Sequence, residues 1–147
     1  MIKKRLFRLY RFICFNPYKQ RYIHILFLSA FYRFLILLIP TKRLQSFMGT
    51  QNEESTTEVS QEWLWEAARI SHIINRICQH TPWESKCLVR AMTAQHLLKR
   101  KHIPSTLYLG VGKDDDNMIA HAWLRCGEFY VTGGTGEQFA VVAKFRT

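Results

Sequence analysis

Two side chains in this 147-residue chain stand where nucleophilic chemistry could be done, Cys87 and His121. The four cysteines, Cys14, Cys78, Cys87 and Cys126, lie far apart with no C-x-x-C pair. No secretory signal with a small-residue cleavage site precedes them, so reduced, cytosolic thiols are expected. A free thiol titrates near about 8.5 and is only a few per cent thiolate at pH 7, so a nucleophilic cysteine needs an imidazole to take its proton and later return it to the leaving amine. Cys87 follows two helix-start signals that make different predictions. If Ser85 caps, Cys87 sits in the first turn, where free N–H groups and about half a positive charge favour a thiolate. If Thr81 caps, with Pro82 in the first turn and Glu84 three on, Cys87 lies too deep for that benefit. His121 falls inside an alternating, strand-like stretch.

Other reactive groups have blander readings. His72, Cys78 and His80 cluster, but Cys78-x-His80 puts two ligands about 200° apart on a helix, and no common centre follows. No metal and no cofactor is expected. His96 and His102 read as surface histidines near a basic helix end. Arg90 reads either as a grip on substrate or as a structural ion pair. Trp123, on the same strand face as His121, reads as cleft wall or as core.

The elements that must position the pair are legible as periodicities. A helix runs from the Ser85 region through Ala91, Ala94, Leu97 and Leu98 to Lys99-Arg100-Lys101, with two alanines that allow close approach to a sheet. Strands follow at Thr106 to Gly112, Met118 to Cys126, Phe129 to Thr132 and Phe139 to Phe145, joined by Asp114-Asp115-Asp116-Asn117, Gly127-Glu128 and Gly133-Gly134-Thr135-Gly136. Upstream, Val59, Trp63, Ala67, Ile70, Ile74 and Ile77 form a core stripe of another helix, for which Ser55-x-x-Glu58 offers a capping box. The polar stretch Gly49 to Glu58 reads as a linker. It divides a basic, apolar helical segment, residues 1–52, from a second unit, residues 53–147. The expected class is α+β, with N-terminal helices ahead of a helix carrying the cysteine, packed on an antiparallel sheet carrying the histidine.

Charge is distributed unevenly. Residues 1–52 hold ten Lys/Arg and no Asp or Glu, whereas residues 53–147 hold eleven of each, so the whole net charge of +10 sits in the first third. That bias suits an anionic partner surface. Tyr22 to Ile39 has the length of a membrane span, but a central Arg33 costs roughly 2.5–3.5 kcal/mol on insertion scales. Arg21, His24, Ser29 and Arg33 instead make a narrow polar stripe on a helix with a wide apolar face, ending at Pro40 and expected to pack on the rest of the domain. Lys3, Lys4, Arg5, Arg8 and Arg11 alternate with apolar residues as in interfacial helices, and equally as in a solvated basic helix end. No nucleic-acid recognition motif accompanies the charge.

Cys87-Leu88-Val89-Arg90-Ala91, the run Leu97 to Pro104, Leu109-Gly110-Val111 and His121-Ala122-Trp123 together resemble the transglutaminase-like domain of lasso-peptide leader peptidases, over about residues 83–147. Phe27 to Gly49 resembles more loosely the basic, Leu/Phe-rich segment of the same family. The resemblance implies a papain/transglutaminase-like core and a cytoplasmic cysteine peptidase, with Cys87 and His121 catalytic. Its substrate would be a ribosomally made precursor, cut at the leader/core junction to free the core amine for macrocyclisation. The implied partners are the precursor leader peptide, a separate leader-recognition protein and an asparagine-synthetase-like macrocyclase, with peripheral membrane contact through residues 1–40 a further reading. The family usually places an Asp about twelve residues after the histidine, and here that position is Gly133. Thr132, Glu137, a backbone carbonyl or a carboxylate among Asp114, Asp115 and Asp116 could hold the ring instead. The backbone N–H of Cys87 would be one oxyanion donor, and the second is left unnamed. Two alternatives stay open: an acyltransferase using the same nucleophile, and a non-catalytic partner- or membrane-binding module.

Overall fold

The computed structural model describes residues 18–115 and 117–147; Cys14, Asp116 and the basic run from Lys3 to Arg11 lie outside the described residues. The chain is α+β. Helices α1 (Lys19–Leu38) and α2 (Thr41–Leu44), a 3-10 turn at Gln45–Phe47 and a short strand β1 (Thr50–Gln51) precede α3 (Gln61–Cys78) and α4 (Cys87–Lys99). Four strands follow: β2 (Thr106–Asp114), β3 (Asn117–Cys126), β4 (Phe129–Thr132) and β5 (Ala140–Arg146). They form with β1 one antiparallel sheet in the order β1-β5-β2-β3-β4. Helix α4 lies on β2, β3 and β4, and α1 and α3 cover α4.

Ala91 and Ala94 are fully buried where α4 meets the sheet, because a methyl group is all that this close approach admits. Leu98 of the same helix, Leu107 of β2, Leu124 of β3 and Phe145 of β5 complete the core with no exposed surface. Each such side chain contributes roughly 1.5–3 kcal/mol on leaving water. The α4 chain end is closed by the Ile103 N–H, which donates to Leu98 O at 3.0 Å.

Three local readings are corrected. The cap of α3 is Ser60, whose hydroxyl accepts from the Trp63 N–H, and not Ser55. Ser55 is buried, and both its N–H and its hydroxyl engage Thr106 Oγ1 at 2.8 Å. The stretch read as a linker is thereby tied into the domain: Thr50 and Gln51 pair with β5, and the buried Arg125 donates to Ser55 O at 3.2 Å. On α3, Ala67, Ile70, Ile74 and Ile77 are core, while Trp63 lies at the rim, 37% exposed.

Helix α1 packs on the rest of the domain, as expected, but not with its whole apolar face. It packs on α3 and α4 through Ile25, Leu28, Ser29 and Tyr32. Its polar stripe turns toward the body, where Arg21 pairs with Glu66 and Arg33 with Glu84, and the wide apolar face is left outward.

Candidate active site

Cys87 is the first residue of α4, following Lys86 at the cap position. Neither sequence signal is the cap. The Ser85 hydroxyl is engaged with Thr81 Oγ1 at 2.9 Å, and its carbonyl accepts from Arg90 Nε at 2.8 Å. Arg90 therefore ties the entering loop to the helix that it precedes. The consequence for Cys87 is that of the Ser85 reading. The first intrahelical bond runs from Arg90 N–H to Lys86 O, and among the described residues no side chain caps the N–H groups of Cys87, Leu88 and Val89. These donors and the positive end of the helix dipole favour negative charge at the helix mouth.

His121 lies on β3 opposite Gly110 of β2. Its ring is fixed by two contacts. Nε2 is 2.7 Å from Gly133 O. A carbonyl can only accept, so Nε2 carries a proton, and in the neutral ring the lone pair is then on Nδ1, the tautomer of a base. The ring also stacks on Phe139 at 4.6 Å and on Trp123 at 5.9 Å, two aromatics whose own centroids lie 6.2 Å apart. Trp123 in turn stacks on Tyr108 at 5.4 Å. Trp123 is only 3% exposed and lines neither of the two cavities at His121, so it backs the histidine. Glycine makes room for it: a Cβ at Gly110 would meet the indole at 2.8 Å.

Cys87 and His121 border one open cavity of about 560 Å³, together with Cys78, Trp83, Arg90 and Gly133. A second open cavity of about 430 Å³, lined by the Gly133–Phe139 loop, adjoins at His121. Of the other orienters considered, Thr132 is buried with its hydroxyl unpartnered, and Glu137 makes no hydrogen bond to the ring. Asp114 pairs with Asn117 at the far end of the hairpin, roughly 14 Å along the strand from His121. The Trp83 indole N–H is likewise buried without a partner. Burial pushes the Cys78 and Cys126 thiols above their ordinary range, against smaller opposing effects of Ser85 and Arg90 at Cys78 and of Arg125 at Cys126. His96 is not a surface histidine: Tyr32 from α1 covers it, with the hydroxyl 3.0 Å from Nδ1.

Two parts of the site escape a reading by residue type. A backbone carbonyl leaves no side-chain signature, although the run Gly133-Gly134-Thr135-Gly136 right after β4 marks a backbone bent out of ordinary conformations, with three positive φ angles. Phe139 meets His121 only because that loop doubles back.

A family model described as the transglutaminase-like superfamily matches residues 32–144, over three quarters of the chain. No curated protein and no solved structure matches.

Proposed function

Because the chain belongs to the transglutaminase-like superfamily, we propose that it is a cysteine peptidase, with Cys87 as nucleophile and His121 as base and acid, acting at the leader/core junction of a ribosomally made lasso-peptide precursor. One observation carries the reading: the thiol at the uncapped mouth of α4 and an imidazole held with Nε2 protonated border the same cavity.

The chemistry follows from that arrangement. His121 Nδ1 takes the Cys87 proton, and the sulfur adds to the scissile carbonyl carbon as the carbonyl π pair moves onto oxygen. The resulting oxyanion sits against first-turn N–H groups of α4, beginning with that of Cys87. Collapse breaks the C–N bond, and the leaving amine takes the proton from the imidazolium. Water, deprotonated by Nδ1, then cleaves the thioester, giving a carboxylate and restoring the thiol. Throughout, Nε2 keeps its proton and donates it as a hydrogen bond to Gly133 O.

An extended peptide suits the two cavities that adjoin at His121, one for each side of the scissile bond. The lasso-precursor assignment rests on the Cys87–Ala91, Leu97–Pro104 and His121–Trp123 strings. A non-catalytic module, which the missing carboxylate favoured, draws less support once Gly133 O accepts from His121.

The test is a reconstituted mixture of precursor, leader-binding protein and this chain, read by mass spectrometry. Free core and free leader are expected, and none with Cys87→Ala. Cleavage retained by Cys87→Ala refutes the nucleophile. Leader recovered as an amide of an added amine, and not as the acid, assigns acyl transfer instead.

A further inference from the structure

A helix on the surface of a soluble domain keeps its outward face polar, whereas α1, which packs Ile25, Leu28 and Tyr32 inward, is apolar outward as well. Phe27, Phe34 and Leu38 are 68%, 66% and 73% exposed, and Ile23, Phe31 and Leu37 extend the same outward stripe. Phe47 continues it just past the helix, 52% exposed. No polar side chain interrupts this face between Ile23 and Leu38.

The ends of the stripe are cationic. Lys19 stands at the start of α1, and Lys42 and Arg43 stand just beyond its end; none of the three pairs with a carboxylate among the described residues. Along one flank, Arg21, His24, Arg100 and Lys101 line an open cavity of about 340 Å³ with Glu66 as its single carboxylate. Helix α1 itself carries no acidic residue, and the carboxylates nearest to it, Glu66 and Glu84, are each paired with an arginine of the helix.

We propose that α1 is a monotopic anchor, lying in the plane of an anionic lipid surface with its Phe/Leu stripe in the acyl boundary and its terminal cations among the head groups. A protein partner would need polar groups to set its register, and this face offers none. A spanning orientation conflicts with the packing. Crossing would break Arg33–Glu84 at 2.9 Å and Tyr32–His96 at 3.0 Å and strip Ile25 and Leu28 from α3 and α4, whereas lying flat keeps every one of these contacts. The inference does not depend on the peptidase reading.

The full-length chain is tested by co-sedimentation with vesicles of phosphatidylcholine and phosphatidylglycerol at roughly 7:3, against phosphatidylcholine alone. Binding is expected to the anionic vesicles, weakened about tenfold or more by Phe27→Glu/Phe34→Glu and severalfold by Lys42→Gln/Arg43→Gln or by raised salt. Far-UV circular dichroism of these exposed-face variants should match the wild type, and their rate on a soluble substrate should be unchanged. Alkaline carbonate should release the bound protein. Equal binding by wild type and Phe27→Glu/Phe34→Glu overturns the proposal, as does retention through carbonate, which assigns a span. Failure of the wild type to pellet also overturns it, and dimerisation in sedimentation velocity would then assign the stripe to a second copy.

Discussion

Placing a carboxylate at position 133, where the resemblance to the leader peptidases would put an Asp, should damage this site, not repair it. Gly133 has φ +80°, and a Cβ built there would stand 2.5 Å from Ala122 O, 2.7 Å from Trp123 Cβ and 2.9 Å from Trp123 Cα. Two of those three atoms are backbone of β3, where Ala122 and Trp123 pair with β2 and the next residue, Leu124, pairs with β4, so the neighbour cannot give way cheaply. A non-glycine residue in the left-handed region costs about 1–2 kcal/mol, and overpacking of this kind adds roughly 1–3 kcal/mol. Gly133→Ala and Gly133→Asp should therefore each lose about 2–5 kcal/mol in urea unfolding, from a total that for most domains is about 5–15 kcal/mol. The backbone shift moves Gly133 O away from His121 Nε2, and a displacement of roughly 1 Å can lower kcat/KM about a hundredfold. Both variants should remain folded at 25 °C and cleave precursor poorly, Asp no better than Ala. If Gly133→Asp cleaves as fast as wild type or faster with unchanged stability, the carbonyl is not the orienting group.

The other predictions use neighbouring groups. At neutral pH, iodoacetamide should label Cys87 well before Cys78 and Cys126, whose thiols are buried and raised in pKa, and peptide mapping that finds either of those labelled first refutes this. Burial, reinforced by Arg100, His24 and Lys99, lowers the pKa of His96 from its ordinary 6.5. The unfolded chain thus takes up a proton that the folded chain refuses. Stability should hold above about pH 6.5 and fall as the pH drops from there through the lowered folded value, and His96→Gln should flatten that fall. Parallel urea-stability curves for the two proteins between pH 7.5 and 5.5 would refute it. Thr132→Val removes a buried hydroxyl without a partner from β4, so it should leave cleavage intact and stability unchanged or raised by about 1 kcal/mol; a clear loss on thermal unfolding would show that the hydroxyl has a partner.

Most of the architecture follows from periodicity and turn chemistry. The strand Phe129–Thr132 and the helix ending at Lys99 stand where alternation, glycine and a basic run place them, because these signals are local. The misread caps show where locality fails. Ser55 and Ser60 are equally good caps as residues, and the choice is made by Thr106, far along the chain, which takes the Ser55 hydroxyl. His96 reads as exposed on α4 until α1 lays Tyr32 over it. The helix-mouth cysteine and the strand histidine were visible in residue types, and a backbone carbonyl was one of several groups that could hold the ring; which carbonyl, and the arrival of Phe139 beside it, depend on how the Gly133–Phe139 loop doubles back.

That carbonyl has a chemical consequence of its own. A carboxylate behind an imidazole orients it and also stabilises the imidazolium that forms when it takes a proton, whereas a carbonyl orients it with only a dipole. Under the peptidase proposal, Gly133 O would stand in the place of a triad's third member, with a weaker pull on the proton. Stabilisation of the charged pair then falls more heavily on the other partner, the sulfur, and on what surrounds it. Here that is the uncapped first turn of α4, with the N–H groups of Cys87, Leu88 and Val89 unclaimed by any side chain among the described residues. Filling the cap position would compete for those donors. Lys86→Asp, whose carboxylate reaches back to the Leu88 or Val89 N–H, should stabilise the helix by about 0.5–2 kcal/mol and slow cleavage by placing a negative charge beside the thiolate. A variant that gains stability and keeps its full rate, measured by urea unfolding and precursor cleavage side by side, would show that the helix mouth takes no part in activating Cys87.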